Sequence, residues 1–433
     1  MKPLCQKFGL WGFLFVINFP FVGLTQFLPS EEKAVSEITW QSKFGGTTND
    51  LYGVYFLNDS VGWATGDNGT IIKTTDGGEN WQTKSSGTTH NLRALFFIDD
   101  TTGWAVGDLG TILKTTDGGD NWSPQNSASI FLLLSVQFFN DSIGWTVGTG
   151  GLILKTVDGG NNWLPQNSSF LEGITDVDFV DSLYGWAAAS ESGATSSTVL
   201  KTTDGGSNWQ VLTLPTFWPV NSVDFIDRNI GWTVGFLEII YKTTDGGNNW
   251  VQQPGVSTTP ESFYSVCFVD SNYGWAVGYG GVIAGTDNGG ATWSAQASGT
   301  TNILWDVYFV DPEHGWAVGD HGLVLIATST VNTIQENPRV INDFMLYANY
   351  PNPFNSSTRI TYTLSKKSEV VLRLYDISGR EIETLIKGTQ SAGFKKITWN
   401  GTDSFNRPVS SGVYILRLET DNQVMSRKMM LIR

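Results

Sequence analysis

The sequence has little cysteine, little charge and no helical periodicity. It contains 2 Cys and 3 His in 433 residues, and Cys5 lies before the apolar amino-terminal stretch, so an exported chain would keep only Cys267. A lone thiol excludes an internal disulfide, and the histidines are too scattered to form a metal cluster. Only 15% of residues are charged, and short β-branched or aromatic runs alternate with Gly, Asp and Asn. We therefore expect an all-β protein held together by packing, without a metal or other cofactor.

Basic residues are especially scarce in the first three quarters of the chain. Residues 27–333 carry 10 Lys and Arg against 32 Asp and Glu, a net charge of −22, whereas residues 334–433 carry 14 against 9, a net charge of +5. Nucleic acids and anionic lipids are polyanions, which makes the first part a poor candidate for binding either. The change of sign also predicts that the tail is a separate unit.

The longest apolar stretch is too short and too interrupted for a membrane span. It covers residues 8–24, follows two lysines, and contains Asn18 and Pro20. These features predict a secretory signal peptide over residues 1–25, removed before Gln26. The alternative is a buried apolar strand.

Two tryptophans recur with a period near 41 residues. The first follows a glycine, at Trp63, Trp104, Trp145, Trp186, Trp232, Trp275 and Trp316. The second ends a glycine-rich turn, at Trp81, Trp122, Trp163, Trp209, Trp250 and Trp293. A period near 40 residues with four short strands per unit is typical of β-propeller blades. We expect both series to be buried packing anchors in place of disulfides.

The ends of the repeat region predict how the ring closes. Each unit contains four strands, A to D, but the unit after Trp316 has no Asp-Gly-Gly turn and no fourth strand. Trp40 lies 41 residues before Trp81, in phase with the second tryptophan series. The segment 38–41 should therefore supply the missing outer strand, which removes an open sheet edge. The sequence predicts a seven-bladed β-propeller over residues 26–328, closed by the N-terminal strand.

The turn between strands C and D is similar to the Asp-box, Ser/Thr-x-Asp-x-Gly-x-x-Trp. Its acidic positions, for which we expect a structural role, are Asp76, Asp117, Asp158, Asp204 and Asp245, with Asn288 in the sixth copy. The whole unit, as in residues 103–119, resembles the repeat of the photosystem II stability/assembly factor family over about residues 38–328. Many exported bacterial propellers have a similar repeat, so the resemblance implies a binding scaffold rather than photosynthesis or an enzyme. The basic patch of that family is not reproduced, because only Arg93 and Arg228 lie within the propeller.

Asp-boxes also occur in sialidases and in some glucan-cleaving hydrolases. A site resembling that of sialidases would need three Arg, which two Arg cannot supply. A glucanase needs two carboxylates roughly 5–9.5 Å apart. Asp178 and Asp224 occupy equivalent A-strand positions in neighbouring blades, so such a pair is geometrically allowed. The alternative is that both are ordinary polar residues beside the solvated channel.

Differences in loop length predict which face of the propeller binds a partner. The D–A and B–C connections emerge on one face, and both length changes fall there: five extra residues within 188–198 and two within 251–262. Loops on a rigid scaffold are where recognition is usually placed. We therefore expect binding on this face.

One position near the start of strand A varies around the ring, although the residue before it is always apolar. In four blades that become contiguous on closure, this position holds Tyr264, Trp305, Tyr52 and Arg93. The B–C turns beside them contribute Tyr279, Asp320, His321, Asp67 and Asp108. Aromatic side chains with Arg are typical of protein- or glycan-binding hot spots. We predict that this sector binds the partner; the alternative is that its residues only pack against one another.

A polar linker at 329–343 precedes a tail, 344–433, that is predicted to be a small β-sandwich. Its Pro-Asn-Pro-Phe-Asn opening at 351–355, its Ser-Gly-Val-Tyr strand and its basic end are similar to the C-terminal sorting domain of the type IX secretion system, an immunoglobulin-like fold. That resemblance implies passage through the periplasm, recognition by the type IX machinery, and release or surface attachment. The alternative is a permanent accessory domain.

These features predict an exported binding or adhesion protein that is not an enzyme. We expect a monomer, secreted or on the outer cell surface, with a protein or glycan partner and no nucleic acid. The alternative is a secreted carbohydrate hydrolase of the Asp-box propeller type.

Overall fold

In a computed structural model, the described residues divide into two units, one within residues 37–330 and the other within residues 344–432. The structure describes residues 37–190, 197–256, 261–330, 344–346, 349, 354, 358–364, 366–391, 393–405, 407–420 and 423–432. The predicted signal peptide and residues 331–343 of the predicted linker lie outside these ranges. No helix among the described residues is both long enough and apolar enough to cross a membrane.

The first unit consists of seven four-stranded antiparallel sheets, which confirms the predicted all-β, seven-bladed propeller. Strands A to D are neighbours in each sheet. Their bounds, by blade, are: first, β2 (Leu51–Phe56), β3 (Gly62–Gly66), β4 (Ile71–Thr74) and β5 (Gln82–Lys84); second, β6 (Leu92–Phe97), β7 (Gly103–Gly107), β8 (Ile112–Thr115) and β9 (Ser123–Gln125); third, β10 (Leu133–Phe138), β11 (Gly144–Gly148), β12 (Ile153–Thr156) and β13 (Leu164–Gln166); fourth, β14 (Gly173–Phe179), β15 (Gly185–Ser190), β16 (Ser197–Thr202) and β17 (Gln210–Leu214); fifth, β18 (Val220–Phe225), β19 (Gly231–Gly235), β20 (Ile240–Thr243) and β21 (Val251–Gln252); sixth, β22 (Phe263–Phe268), β23 (Gly274–Gly278), β24 (Ile283–Thr286) and β25 (Ser294–Ala295); seventh, β26 (Leu304–Asp311), β27 (His314–Gly319) and β28 (Leu323–Thr330), joined by β1 (Glu37–Phe44).

The N-terminal strand β1 supplies the outer strand of blade seven. It pairs antiparallel with β28, with Trp40 opposite Ala327. Further hydrogen bonds join the seventh blade to the first: the backbone N–H of Val54 donates to Asp306 (2.9 Å), and the Trp316 indole donates to the carbonyl of Gly77 (2.7 Å). This pairing covers the edge of β28 and gives blade seven the same four strands as the other blades.

The glycine-linked tryptophans fasten each blade to the next. All seven are at most 2% exposed, and each stacks on a phenylalanine in strand A of the following blade; Trp63 and Phe97, for example, lie 3.7 Å apart between ring centroids. The Trp63 indole also donates to the carbonyl of Gly118 in the C–D turn of blade two (2.9 Å). The second tryptophan series meets the same phenylalanines edge-on, as Trp122 meets Phe97. Both series are therefore packing anchors.

Connections at the two ends of the sheets form two distinct faces. Backbone hydrogen bonds join C–D turns to A–B turns, as from Gly118 to Thr101 (2.7 Å), and we call this end the C–D face. At the other end, B–C turns bond to D–A connections, as from Asp67 to Asp50 (2.9 Å), and we call it the B–C face. Six B–C turns contain a short 3-10 helix, at Asp67–Gly69, Asp108–Gly110, Thr149–Gly151, Phe236–Glu238, Tyr279–Gly281 and Asp320–Gly322.

The second unit is a small β-sandwich of two sheets. One has the order β29 (Met345–Leu346), β30 (Thr358–Leu364), β33 (Gly393–Trp399), and the other has the order β32 (Glu381–Gln390), β31 (Ser368–Asp376), β34 (Gly412–Thr420), β35 (Val424–Leu431). Trp399, Tyr362 and Leu416 lie in its own apolar core. Such a core is what an independent domain requires.

Candidate binding face

A β-bulge places one side chain of each A strand at the B–C face. The register between strands A and B shifts just after the first A-strand residue, between Leu51 and Gly53 in blade one and between Leu304 and Asp306 in blade seven. The extra residues are Tyr52 and Trp305, and bulges of this kind re-aim a side chain. The apolar residue before each bulge is fully buried, as at Leu51. The variable position that the sequence singled out is therefore a bulge.

The bulge residues of blades six, seven, one and two form one continuous row. Tyr264 stacks on Trp305, with ring centroids 4.9 Å apart, and Trp305 meets Tyr52 edge-on at 5.7 Å. The Arg93 guanidinium lies 4.4 Å from the centre of the Tyr52 ring. The structure thus brings together the four A-strand residues that the sequence analysis selected. We call these four residues the aromatic row.

Carboxylates in the B–C turns hold three members of this row. The Tyr52 hydroxyl donates to Asp67 (2.8 Å) and the Trp305 indole donates to Asp320 (2.8 Å). Arg93 forms a two-pronged ion pair with Asp108, at 2.8 and 3.1 Å. Each partner lies fifteen residues after the row residue, in the same blade. These bonds fix the orientation of the polar ends, while the side chains remain only partly buried.

The tyrosines of the row remain protonated over a wide pH range. Burial raises the pKa of Tyr52 to about 12, and the hydrogen bond to Asp67 adds to the rise. Burial is also the main cause that raises the pKa of Tyr264, and the nearby Tyr279 and Asp320 add smaller contributions to that rise.

The two remaining predicted residues, Tyr279 and His321, are exposed at turns beside the row. A shallow groove of about 660 Å³ runs along the Tyr279 turn, lined by Gly280, Gly281, Val282 and residues 296–301.

The two aspartates considered for hydrolysis bind backbone groups of the next blade. Asp178 accepts the N–H of Phe225 (2.7 Å) and the side-chain amide of Gln137 (2.8 Å), while Asp224 accepts the N–H of Phe268. Burial raises the pKa of Asp178 to about 7, and it raises that of Asp224 well above its usual value, with the Asp178 charge adding to the shift. Their hydrogen bonds join A strands of neighbouring blades, which is a structural task.

Two further acids of the A strands were not identified from the sequence; together with Asp178 and Asp224 we call them the inner-strand acids. Asp176 accepts the hydroxyls of Ser135 and Ser222 (2.8 Å each), and Asp306 accepts the Ser265 hydroxyl (2.7 Å). The sequence does contain a signal for them. Asp176 and Asp306 directly follow the bulge residue, at a position where the other blades hold Gly, Ala or Ser.

Among the described residues, no three His, Cys, Asp or Glu side chains are placed to hold a metal ion.

The C–D turns use their acidic residue to fold the turn. Asp117 accepts the N–H of Asn121 (2.9 Å), its side-chain amide (2.8 Å) and the Thr115 hydroxyl (2.8 Å). The same bonds recur at Asp76, Asp158, Asp204 and Asp245. Asn288 keeps the two bonds to its Oδ1, from Thr292 N–H and the Thr286 hydroxyl. All these residues lie on the C–D face, away from the aromatic row.

The fold defines a protein of the seven-bladed propeller class, with the aromatic row on its B–C face. The family model described as "Photosynthesis system II assembly factor YCF48" matches residues 32–124, 87–170 and 164–296. These matches cover more than half of the chain, which therefore belongs to that family. The model of the "FlgD Ig-like domain" matches residues 352–423 in the tail. No curated protein matches the chain significantly.

Solved structures give the same fold. "YCF48 bound to D1 peptide" has 20% identity and a TM-score of 0.58, covering 70% of this chain and 100% of that one. "YCF48 from Cyanidioschyzon merolae" has 22% identity and a TM-score of 0.57, covering 67% and 98%. The GH74 enzyme of Niastella koreensis has 13% identity and a TM-score of 0.55, covering 89% of this chain and 73% of that one. At these identities the likeness is one of fold.

Proposed function

We propose that this chain is an exported, non-enzymatic binding protein whose partner docks on the B–C face. The observation that carries the proposal is the aromatic row, in which Trp305 contacts both Tyr264 and Tyr52 of the neighbouring blades and all three side chains are only partly buried. Rigid aromatic side chains flanked by Arg are the usual anchors of protein and glycan interfaces. The partner is a protein or a glycan, and the chain acts as a monomer.

Alanine substitution of residues in the aromatic row tests this proposal, because it should weaken binding of the partner. The labelled full chain would be applied to a glycan array and to separated outer-membrane proteins, and the affinity for any hit would be measured by calorimetry. Trp305→Ala and Tyr52→Ala should each weaken binding about tenfold or more. Tyr184→Ala is the matched control, because Tyr184 also lies under an arginine, Arg228, but on the C–D face. Unchanged binding by both row variants would exclude the row as the site.

A secreted carbohydrate hydrolase is the second candidate, since the GH74 enzyme of Niastella koreensis shares the fold. Against it, Asp178 and Asp224 both bind backbone N–H groups of the next blade. We expect no release of reducing sugar from a polysaccharide panel. Activity that disappears in both Asp178→Asn and Asp224→Asn would instead support the hydrolase.

We further propose that the tail is a type IX sorting domain that delivers the propeller to the medium or outer cell surface through the periplasm. The FlgD Ig-like match supports an immunoglobulin-like tail, and the apolar residues 8–24 support export. In a host with type IX secretion, a chain truncated after Thr330 should accumulate in the periplasm. Equal secretion of the truncated and full chains would contradict the sorting role. A secreted protein that still carries Arg433 would indicate that the tail is not removed.

A further inference from the structure

The B–C face of blades two to five carries an arc of exposed apolar side chains. They lie in B–C turns and D–A connections of consecutive blades, and are Leu109, Ile130, Phe131, Leu171, Phe217, Trp218, Phe236 and Leu237. Leu171 is 86% exposed, Ile130 80% and Phe217 73%. Monomeric proteins rarely expose many large apolar side chains on one face unless the face binds something. We call this set the apolar arc.

Two leucines of the arc are held in a backbone conformation that disfavours them. Leu109 and Leu237 both have φ of 55°, in the left-handed region. The corresponding turn positions of blades one, three and six hold Asn68, Gly150 and Gly280, which tolerate that region. A strained leucine that is also exposed gains nothing in packing that would offset the strain. Such strain is typically retained at functional sites.

Apart from Arg93, the Lys and Arg side chains of the described propeller residues are directed away from this face. Every described lysine of the propeller has its ammonium group beside a C–D turn of the next blade. Lys114, Lys155 and Lys242 donate to glycine carbonyls in these turns. Lys43 and Lys84 form ion pairs there, with Glu79 and Asp120. Lys73 and Lys201 lie against Gly118 and Gly246 of the same turns. Arg228 pairs with Asp181 of an A–B turn, also on the C–D face.

Four acids of the B–C face consequently have no cationic partner among the described residues. Asp108 is neutralised by Arg93, whereas Asp50, Asp67, Glu261 and Asp320 form no ion pair within the described part of the chain. The donors to these two carboxylates among the described residues are neutral: Asp67 accepts from Tyr52, and Asp320 accepts from Trp305 and from the backbone N–H of Ile303. These carboxylates flank the aromatic row and extend the surface that the apolar arc begins.

Blade two shows how a cation is held on this face. The Arg93 guanidinium lies over the Tyr52 ring at 4.4 Å and is bound by the Asp108 carboxylate. Blade seven has the corresponding carboxylate, Asp320, but the neutral Trp305 indole stands in the position of Arg93, so this blade has no cation of its own there. A guanidinium or ammonium group over an aromatic face beside a carboxylate is a favourable arrangement.

We propose that the partner of the B–C face is a polypeptide segment in which lysine or arginine side chains alternate with large apolar ones. This inference rests on the proposed binding function and specifies its ligand. The apolar side chains would pack on the arc and the cations on the acids and rings of blades six, seven and one. Charge complementarity of this kind fixes partner choice and raises the association rate.

Three synthetic peptides of one design test the proposal with the full chain. They share their leucine and tryptophan positions and carry Lys, Gln or Glu at the remaining ones. We expect the Lys peptide to bind about tenfold tighter than the Gln peptide, the Glu peptide to bind most weakly, and added salt to reduce the difference. Equal affinity of the Lys and Glu peptides would overturn the proposal.

Matched variants distinguish the effect of the acids on the B–C face from the effect of the overall negative charge. The triple variant Asp67→Asn, Glu261→Gln, Asp320→Asn should weaken the Lys peptide about tenfold and leave the Gln peptide unchanged. Its control, Asp59→Asn, Asp141→Asn, Asp287→Asn, removes the same charge from exposed positions on the C–D face and should change neither. Phe217→Ser with Trp218→Ser should weaken both peptides by the same factor. Equal effects of the two triple variants would overturn the proposal.

The outcome also distinguishes this inference from the proposed function. If the Glu or Gln peptide binds best and Trp305→Ala abolishes that binding, the face is a binding site but its partner is not basic. If Trp305→Ala leaves the binding of every peptide and of every array hit unchanged, the proposed function fails as well.

Discussion

A single tryptophan illustrates how a chain without disulfides holds its blades together. Trp63 is fully buried, stacks on Phe97 of the next blade, and donates its indole N–H to Gly118. Trp63→Ala should lower the free energy of unfolding by about 3–5 kcal/mol, because a cavity replaces the ring and its hydrogen bond is lost. Urea denaturation followed by circular dichroism measures the change. Trp218→Ala, at a half-exposed position, should change it by less than about 0.5 kcal/mol.

Trp275 shows the consequence of a missing turn. Its indole is 2% exposed, yet the indole N–H has no acceptor among the described residues. The other six tryptophans of its series donate to the C–D turn of the next blade, but blade seven has no C–D turn, since its outer strand comes from β1. Closure by the N-terminal strand therefore costs one hydrogen bond.

The inner-strand acids make stability depend on pH. Burial raises the pKa of Asp306 from 3.8 to about 7 in the folded protein, although Val54 N–H and Ser265 donate to it. Between these values the folded state retains a proton that the unfolded chain has lost, so this contribution to stability falls as pH rises from about 4 to about 7.

The substitution Asp306→Asn removes that titration. Its destabilising effect should be smaller at pH 8 than at pH 5, by about 1 kcal/mol or more, because the wild type bears a buried charge only at the higher pH. Urea denaturation at both pH values measures the difference. The exposed Asp59→Asn should have the same small effect at both, and an Asp306→Asn effect that grows with pH would contradict the argument.

Among the strands, we expect the eight-residue β1 to have the largest effect on the stability of the propeller relative to its length. Trp40 is buried against Phe309 and donates to Gln296 (2.8 Å), so it ties the strand to blades six and seven. Trp40→Ala should cost about 3–5 kcal/mol and expose the edge of β28 to pairing with other chains. Lys43→Ala on the same strand should cost less than about 1 kcal/mol, because its ion pair is exposed. Unfolding and light scattering measure both effects; a stable, monomeric Trp40→Ala would contradict this role.

The sixth C–D turn differs from the other five at its acidic position and at the residue that bonds to it. The bonds from Asn121 and Thr115 lower the pKa of Asp117 to about 2. In the sixth turn, Asn288 and Thr292 stand at the two corresponding positions, and Asn288 donates to the Thr292 hydroxyl (2.8 Å).

We expect Asp117→Ala to lower the melting temperature, because Asn121 N–H loses its acceptor. The double variant Asp117→Asn, Asn121→Thr reproduces the sixth turn and should melt close to the wild type. Asp117→Asn alone should fall between them, since its amide would face the amide of Asn121. Differential scanning calorimetry ranks the three, and an Asp117→Ala protein as stable as the double variant would contradict the proposed role of the turn.

On the scale of the whole molecule, two units with separate cores should unfold separately. Trp63 belongs to the propeller core and Trp399 to the core of the tail. In calorimetry of the full chain, Trp63→Ala should shift only the propeller transition, and Trp399→Ala only the tail transition. A single transition that both variants shift would show that the units unfold together.

The sequence alone determined the architecture. A period of about 41 residues, with a glycine-linked tryptophan in each unit, requires equivalent blades, and the phase of Trp40 predicts which strand closes the ring. These features follow from local pattern and count, because every blade repeats the same pairing. The variable residues Tyr52, Arg93, Tyr264 and Trp305 also stood out against that repeat.

Only the tertiary structure decided how those residues combine. The placement of the strands and of neighbouring blades decides the bulge that aims Tyr52 outward, the stack of Tyr264 on Trp305, and the contacts of the described propeller lysines on the C–D face. The same holds for Asp178, which bonds to a backbone group forty-seven residues away along the chain. Contacts between blades have no short-range sequence signal, since they join positions that only the closed ring brings together.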